Sequence, residues 1–155
     1  MNKLLKLFLC ILIPLAIGAI SGIATSSGLN DWYMTLNKPV FNPPGYIFGP
    51  VWTVLYILMG VSLYLIWQSP VSEQRTRAIA LFAIQLFLNF WWSFFFFKFQ
   101  LLGVAFLEII LIWMSIVAMI YAFYRIHKPA AYLQIPYLLW VSFASVLNGA
   151  IWWLN

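Results

Sequence analysis

Acidic residues are nearly missing from this 155-residue chain: Asp31, Glu73 and Glu108 are the only three. Charged residues of both signs reach 7%, against roughly 25% in soluble globular proteins. There is one cysteine, Cys10, and one histidine, His127. Each shortage removes a class of function. A lone cysteine closes no disulfide within the chain and says nothing about redox compartment. One His, one Cys and three scattered acids make no metal cluster. They leave no Ser-His or Cys-His pair for nucleophilic catalysis and no acid–base pair for ordinary hydrolysis or group transfer. The eight Lys and Arg give a net charge of +5, but they stand singly or in pairs. Nucleic acid is therefore not the expected partner, and cationic loops on one side of a membrane explain the basic residues better.

What is abundant is apolar surface. The chain is 65% hydrophobic, with 9 Trp, 8 Tyr and 14 Phe. A soluble domain of this size has no interior large enough to hide it, so lipid is the expected solvent. Five segments have the length and apolarity to cross a bilayer, at about residues 4–25, 46–67, 78–97, 101–124 and 130–153. The expected fold is an all-α integral membrane protein, one domain over residues 1–155, built as a bundle of five transmembrane helices. Lys3 and Lys6 ahead of the first run resemble the start of a signal peptide. The run is too long for a cleaved apolar region, so it is read as a retained helix.

The basic residues then predict direction. Lys3, Lys6, Arg75, Arg77, Arg125 and Lys128 fall on one side, with Lys38 and Lys98 on the other. The positive-inside rule predicts the N-terminus inside and the C-terminus outside. The long loop 26–45 is then outside, and the short remaining connections predict that sequential helices pack as neighbours. With no mitochondrial presequence evident, the cytoplasmic membrane of a bacterium is the expected location.

The stretch "KPVFNPPGYIFGPVWTVLY", 38–56, holds four prolines, several rings and one charge. Each proline fixes its own φ and restricts the residue before it, so the loop is stiff. Pro50 suits the first turn of the second span. Trp52 and Tyr56 share a helix face, and a stiff loop above that face reads as a lid over a ring-lined cavity. Depth brings other spans to the same level. Asn89 and Trp92 on the third, Glu108 on the fourth, and Ala144 and Asn148 on the fifth lie in the loop-side half, with Trp140 near the midplane. Tyr137, Trp140, Ala144 and Asn148 follow one face, with a small residue among large ones, as in a slot. Gln85 and Asn89 stand one turn apart. Interhelical hydrogen bonding is expected of Gln85; for Asn89 that role and ligand contact stay open. Glu108, the only acid inside a span, is a functional candidate by that fact alone, as a proton relay or as partner to a neighbouring element. Gly18, Gly22 and Ser26 form a row of small residues that can seat a close helix neighbour, in the bundle or between chains.

Three motifs carry a resemblance. "LNKPVFNPPGYIFGPVWTVLY", "QLFLNFWWSFFFF" and "PYLLWVSFASVLNGAIWWLN" occur here in this order, and together they resemble the translocator protein family, also called the tryptophan-rich sensory protein or peripheral benzodiazepine receptor family. The resemblance covers nearly the whole chain. It implies a five-helix membrane bundle, commonly a homodimer. It also implies a pocket in the loop-side half that takes porphyrins, haem-pathway intermediates and synthetic isoquinoline or benzodiazepine-type ligands. Carried over by motif, the pocket uses Trp52, Asn89, Trp140 and Ala144, with Tyr33 and Tyr56 added. Sterol-binding members carry a consensus on the fifth helix; here Gly149 stands where that pattern has Tyr, and no Lys or Arg follows.

Three functions remain in play. The first is a receptor or sensor for planar tetrapyrroles, with Trp52, Tyr56, Trp92 and Trp140 stacking on the ligand and Asn89 and Asn148 orienting it. No cofactor is called for; the porphyrin is the ligand, and no His or Cys is expected at this level to ligate haem iron. The second, suggested by resemblance, is a light- and oxygen-dependent porphyrin-degrading enzyme in which the Trp52 and Trp140 indoles take part. The third is a transporter. Pro14, Gly60, Pro136 and Glu108 speak for it, and the absence of a visible inverted repeat speaks against it.

Overall fold

The computed structural model describes all 155 residues and contains helices and no strands. There are seven α-helices: α1 (Lys3–Leu29), α2 (Trp32–Thr35), α3 (Phe48–Trp67), α4 (Glu73–Ser93), α5 (Leu102–Tyr124), α6 (Lys128–Leu133) and α7 (Ile135–Leu154). A 3-10 turn, Gly45–Ile47, leads into α3, and a π-turn, Phe94–Lys98, continues α4. Together these give five stretches long and apolar enough to cross a membrane: Lys3–Leu29, Gly45–Trp67, Glu73–Lys98, Leu102–Tyr124 and Lys128–Leu154. The loop that contains α2 defines one end of the bundle, the lid end. Lys3, Lys6, Arg75, Arg77, Arg125 and Lys128 sit at the opposite end, at the start of α1, the start of α4 and the α5–α6 connection.

The outer surface suits lipid. Ile23, Phe87, Leu107 and Leu139 are 64 to 69% exposed, and in water such a belt would form a large apolar patch of the kind that drives association. The chain is an integral, multi-pass membrane protein.

Three boundaries differ from the sequence expectation, each for a local reason. The third span begins at Glu73 and not near residue 78, because Ser72 caps it by accepting from the Arg75 amide. The first helix runs past residue 25 to Leu29 because its hydroxyls bond back to their own helix. Thr25 Oγ1 donates to the Ser21 carbonyl, Ser26 Oγ to Ile23 and Ser27 Oγ to Ala24. A polar-looking run thus stays helical in an apolar setting. The fifth span breaks at Gln134, between α6 and α7. Pro136 has no amide hydrogen to bond the carbonyl four residues back, and its ring crowds that position.

The order of helices around the bundle also differs. α1 packs along α3, α4 along α5, and α5 along α7, as sequential packing predicts. However, α1 also lies against α4 and its π-turn, so the second and third spans meet only over a shorter stretch. Glycines explain where α1 sits. A Cβ on Gly60 of α3 would collide with the backbone of Ile11 and lie 2.7 Å from the Cys10 carbonyl. Pro14 is the residue whose missing amide hydrogen leaves that carbonyl free. Near the lid, a Cβ on Gly28 of α1 would sit 2.6 Å from the Phe97 carbonyl in the π-turn.

The end opposite the lid is solidly filled, with Met59, Ile66, Ile116, Met119 and Phe123 fully buried and the Phe82 and Phe123 rings stacked at 6.5 Å. A second cluster, Tyr33, Phe96, Phe97, Ala105, Leu147 and Ile151, closes the lid end.

Candidate ligand cavity

Within the lid half lies a cavity of about 580 Å³, bounded by α1, α3, α4, α5 and α7 and capped by the α2 loop. That volume lies inside the roughly 300–1,000 Å³ range of small-molecule sites. All eight residues singled out from the sequence lie on its wall: Tyr33, Trp52, Tyr56, Asn89, Trp92, Trp140, Ala144 and Asn148.

The α3 wall is a ladder of rings at four-residue spacing, Phe48, Trp52 and Tyr56. Trp52 stacks on Tyr56 at 5.5 Å and meets Tyr137 edge-on at 6.2 Å. Phe48 reaches across to α7, where it meets Trp140 edge-on at 5.9 Å. Trp140 in turn leans on Phe143 at 5.7 Å, and half-buried Ala144 leaves room beside it. On α4, Trp92 packs against Phe96 at 5.1 Å. Each of these rings therefore packs against at least one other, and the braces Phe48 and Phe96 line the cavity as well.

Buried amides hold this arrangement from behind. Tyr56 Oη donates to Asn89 Oδ1 at 2.9 Å, and Asn89 Nδ2 donates to Tyr137 Oη at 2.8 Å. Tyr137 Oη then donates to Gln85 Oε1 at 2.7 Å. One chain of hydrogen bonds thus ties α3, α4 and α7 together at the cavity floor. Nearer the lid, Trp92 Nε1 donates to Asn148 Oδ1 at 3.0 Å and Asn148 Nδ2 to the Leu102 carbonyl at 3.2 Å. Gln85 makes the interhelical bond expected of it. Asn89 and Asn148 line the cavity, but their amides are already engaged with protein. What they supply is the fixed position of Tyr56 and Trp92.

The lid is folded on itself and fastened down. Tyr33 Oη donates to Asn42 Oδ1 at 2.7 Å, and the Lys38 ammonium sits 4.9 Å from the centre of the Tyr33 ring. Trp32 meets Phe96 at 5.9 Å, Tyr33 meets Phe97 at 5.6 Å and Phe41 meets Phe143 at 6.2 Å. Asn155 then joins the loop to the end of α7: its Oδ1 accepts from the Asn37 amide at 3.1 Å and its Nδ2 donates to the Asn37 carbonyl at 2.9 Å. Burial pushes the Tyr33 phenol above its ordinary value, against a smaller downward pull from the Asn42 bond.

Some wall residues were not singled out from the sequence. Phe48 had a signal, since it stands one turn before Trp52 on the same face. Gly22 and Ser26 belong to a row read as a helix seat. Gly18 does meet a close neighbour, the Tyr56 ring, but Gly22 has nothing within 4 Å of an added Cβ, and both Gly22 and Ser26 face the cavity. Glu108 is buried, its Oε2 has no partner, and it is not on the cavity wall. Cys10 and His127 lie toward the opposite end, and no three His, Cys, Asp or Glu side chains gather anywhere.

A ring-lined cavity under a proline-stiffened lid is the arrangement that the three motifs lead one to expect, and comparison with known proteins decides the family. The sequence model of the TspO/MBR family matches residues 10–154. The chain belongs to the TspO/MBR family. It is similar to "Tryptophan-rich protein TspO" of Chlorobaculum tepidum, at 44% identity over 157 residues, 100% of this chain and 99% of the relative. The protein of the same name from Archaeoglobus fulgidus is 41% identical over 153 residues, 99% of each chain. "Translocator protein" of Ovis aries is 38% identical over 123 residues, 78% of this chain and 73% of the relative. The matched TspO/MBR span contains every one of the eight wall residues.

Proposed function

We propose that this TspO/MBR protein is a membrane receptor for planar, hydrophobic ligands of the porphyrin type, bound under the first loop. The observation that supports this most is the set of braced rings, Trp52, Tyr56, Trp92 and Trp140, delivered by three helices to one cavity. Flat aromatic faces stack on flat ligands, and a wall that is mostly apolar with its amides already paired favours shape over specific polar contacts. With neither His127 nor Cys10 near, haem iron would gain no axial ligand of the usual kind, so a metal-free porphyrin should bind about as well as haem. Isoquinoline and benzodiazepine-type compounds are expected to compete for the same space. In a homodimer, as the resemblance implies, the rings and amides named above would still come from one chain. The basic end faces inward on this reading, in the cytoplasmic membrane of a bacterium, and the lid faces out.

The test is a titration of protein in nanodiscs with metal-free protoporphyrin and with haem, followed by Trp fluorescence quenching. Saturable quenching by both, at similar midpoints, supports the proposal; strict dependence on iron would refute stacking as its basis. One observation favours a second reading, photo-oxidative degradation of the porphyrin: two indoles, Trp52 and Trp140, are on the cavity wall. Illuminated turnover in oxygen should fall in Trp52→Phe and Trp140→Phe. Unchanged rates in both would leave binding as the function.

A further inference from the structure

We infer that ligands reach this cavity sideways from the hydrocarbon of the membrane, through a slot between the lid-end halves of α1 and α3, and not through the lid. The inference rests on the binding role proposed above and adds to it a route and a ligand class.

Three observations carry it. First, α1 and α3 are not evenly packed. They touch backbone to backbone where Gly60 meets Ile11 and Cys10, and they still touch where the Tyr56 ring covers Gly18. Beyond that level they part: neither Gly22 on α1 nor Gly49 on α3 has any atom within 4 Å of an added Cβ. Second, the cavity is only partly enclosed, and Ala19, Gly22 and Ser26 of α1 and Gly49 and Thr53 of α3, which line it, are exposed. Small, exposed residues on both facing helices mark the stretch of wall with least cover. Gly22 lies seven residues before the end of α1, about 10 Å along its axis at 1.5 Å per residue. The slot therefore runs from the level of Gly49, at the start of α3, to about this distance below the end of α1. Third, the slot offers a passing ligand no free polar group. Ser26 Oγ is turned to the Ile23 carbonyl and Thr53 Oγ1 to the Gly49 carbonyl at 2.8 Å.

The lid provides the contrast. It is closed by Phe41 on Phe143, by Tyr33 on Phe97 and by the Asn37–Asn155 pair. A water-borne ligand would have to break these contacts together, whereas a membrane-dissolved one meets small residues. The slot selects ligands that partition into the bilayer and are flat enough to pass edge-on. An amphiphilic ring with its charged edge at the headgroups qualifies; a compact polar solute does not.

The test uses the whole chain in nanodiscs and stopped-flow Trp quenching by metal-free protoporphyrin. Gly22→Phe combined with Gly49→Phe fills the slot from both sides. Because a blocked path raises one barrier for both directions, association and dissociation should both slow, by about tenfold or more, beyond any change in the Kd that the two added rings cause at the cavity wall. The control Ile23→Phe, on the lipid face of α1, should exchange at the wild-type rate, and so should the lid variant Asn155→Ala. A second arm modifies protein that is already folded: Gly22→Cys in a Cys10→Ala background, labelled with maleimides of increasing size, should slow exchange in order of size. Wild-type exchange in the filled and labelled proteins would overturn the route, as would faster exchange in Asn155→Ala. If the wild type itself shows no saturable quenching, it is the binding role that fails, and the two failures are told apart in one series.

Discussion

Replacing Tyr137 by Phe removes one oxygen and changes almost nothing else. The ring keeps its place against Trp52, 6.2 Å away, so no cavity opens. What is lost is the junction of the floor network. Tyr137 Oη accepts from Asn89 Nδ2 at 2.8 Å and donates to Gln85 Oε1 at 2.7 Å. Gln85 is fully buried and its Nε2 has no partner, so the substitution strips that side chain of its one hydrogen bond. Interhelical side-chain bonds in membranes average about 0.6 kcal/mol, with a maximum near 1.7. In soluble proteins an orphaned buried polar group costs about 1–3 kcal/mol. Two bonds at the membrane scale, with two groups stranded, give an expected loss of about 2 kcal/mol. Tyr56→Phe removes only the bond to Asn89 Oδ1 and should cost about half as much. The two variants share Asn89, so their double-mutant cycle should be non-additive. Reversible unfolding in mixed micelles measures all three. The control is Tyr132→Phe, at an exposed ring on α6. If Tyr137→Phe unfolds no more easily than Tyr132→Phe, the network contributes nothing and the cavity floor is held by packing alone.

Other substitutions probe other links. Ala144→Thr adds a methyl-sized volume beside Trp140 and a hydroxyl able to bond back to the Trp140 carbonyl. Affinity for large planar ligands should fall by about 1–2 kcal/mol in a fluorescence titration, while Ala118→Thr, on the exposed face of α5, should leave it unchanged. Gly60→Leu forces α3 off the Ile11 backbone and should destabilise the bundle by about 1–3 kcal/mol in the same unfolding assay. Gly22→Ala, where an added Cβ meets nothing, should be neutral or better. The lid should respond to alkali through Tyr33. Its phenol is raised in the folded state, so its contribution holds below the ordinary tyrosine value of about 10 and is lost as pH climbs through the raised folded value. Tyrosinate absorbance should show this late transition, and Tyr33→Phe should remove it.

Hydropathy alone made the five spans legible, because nothing but a membrane accommodates so much apolar length. The cavity wall was legible for a different reason. Trp52 with Tyr56, Asn89 with Trp92, and Trp140 with Ala144 and Asn148 each share a helix face, and the alternating chain direction brings those faces to one depth. Proline spacing added the lid. The position of α1 was not legible. Gly18, Gly22 and Gly60 are small residues at plausible spacings, yet only the facing shapes decide that Gly60 meets a backbone, Gly18 a ring and Gly22 open space. The Asn37–Asn155 latch leaves no periodic trace either, as it pairs two amides 118 residues apart. The end of α1 was missed because serine and threonine read as loop formers until their hydroxyls are seen bonding back along the helix.

The measurement that bears most directly on the central claim is a structure of the protein determined with metal-free protoporphyrin in a lipid environment. The account predicts the macrocycle inside the cavity, with Trp52 and Trp140 in stacking or edge contact, Asn89 and Asn148 still bonded to Tyr56 and Trp92, and the lid closed above. A porphyrin bound on the outer surface of the bundle, with the cavity holding none, would contradict it.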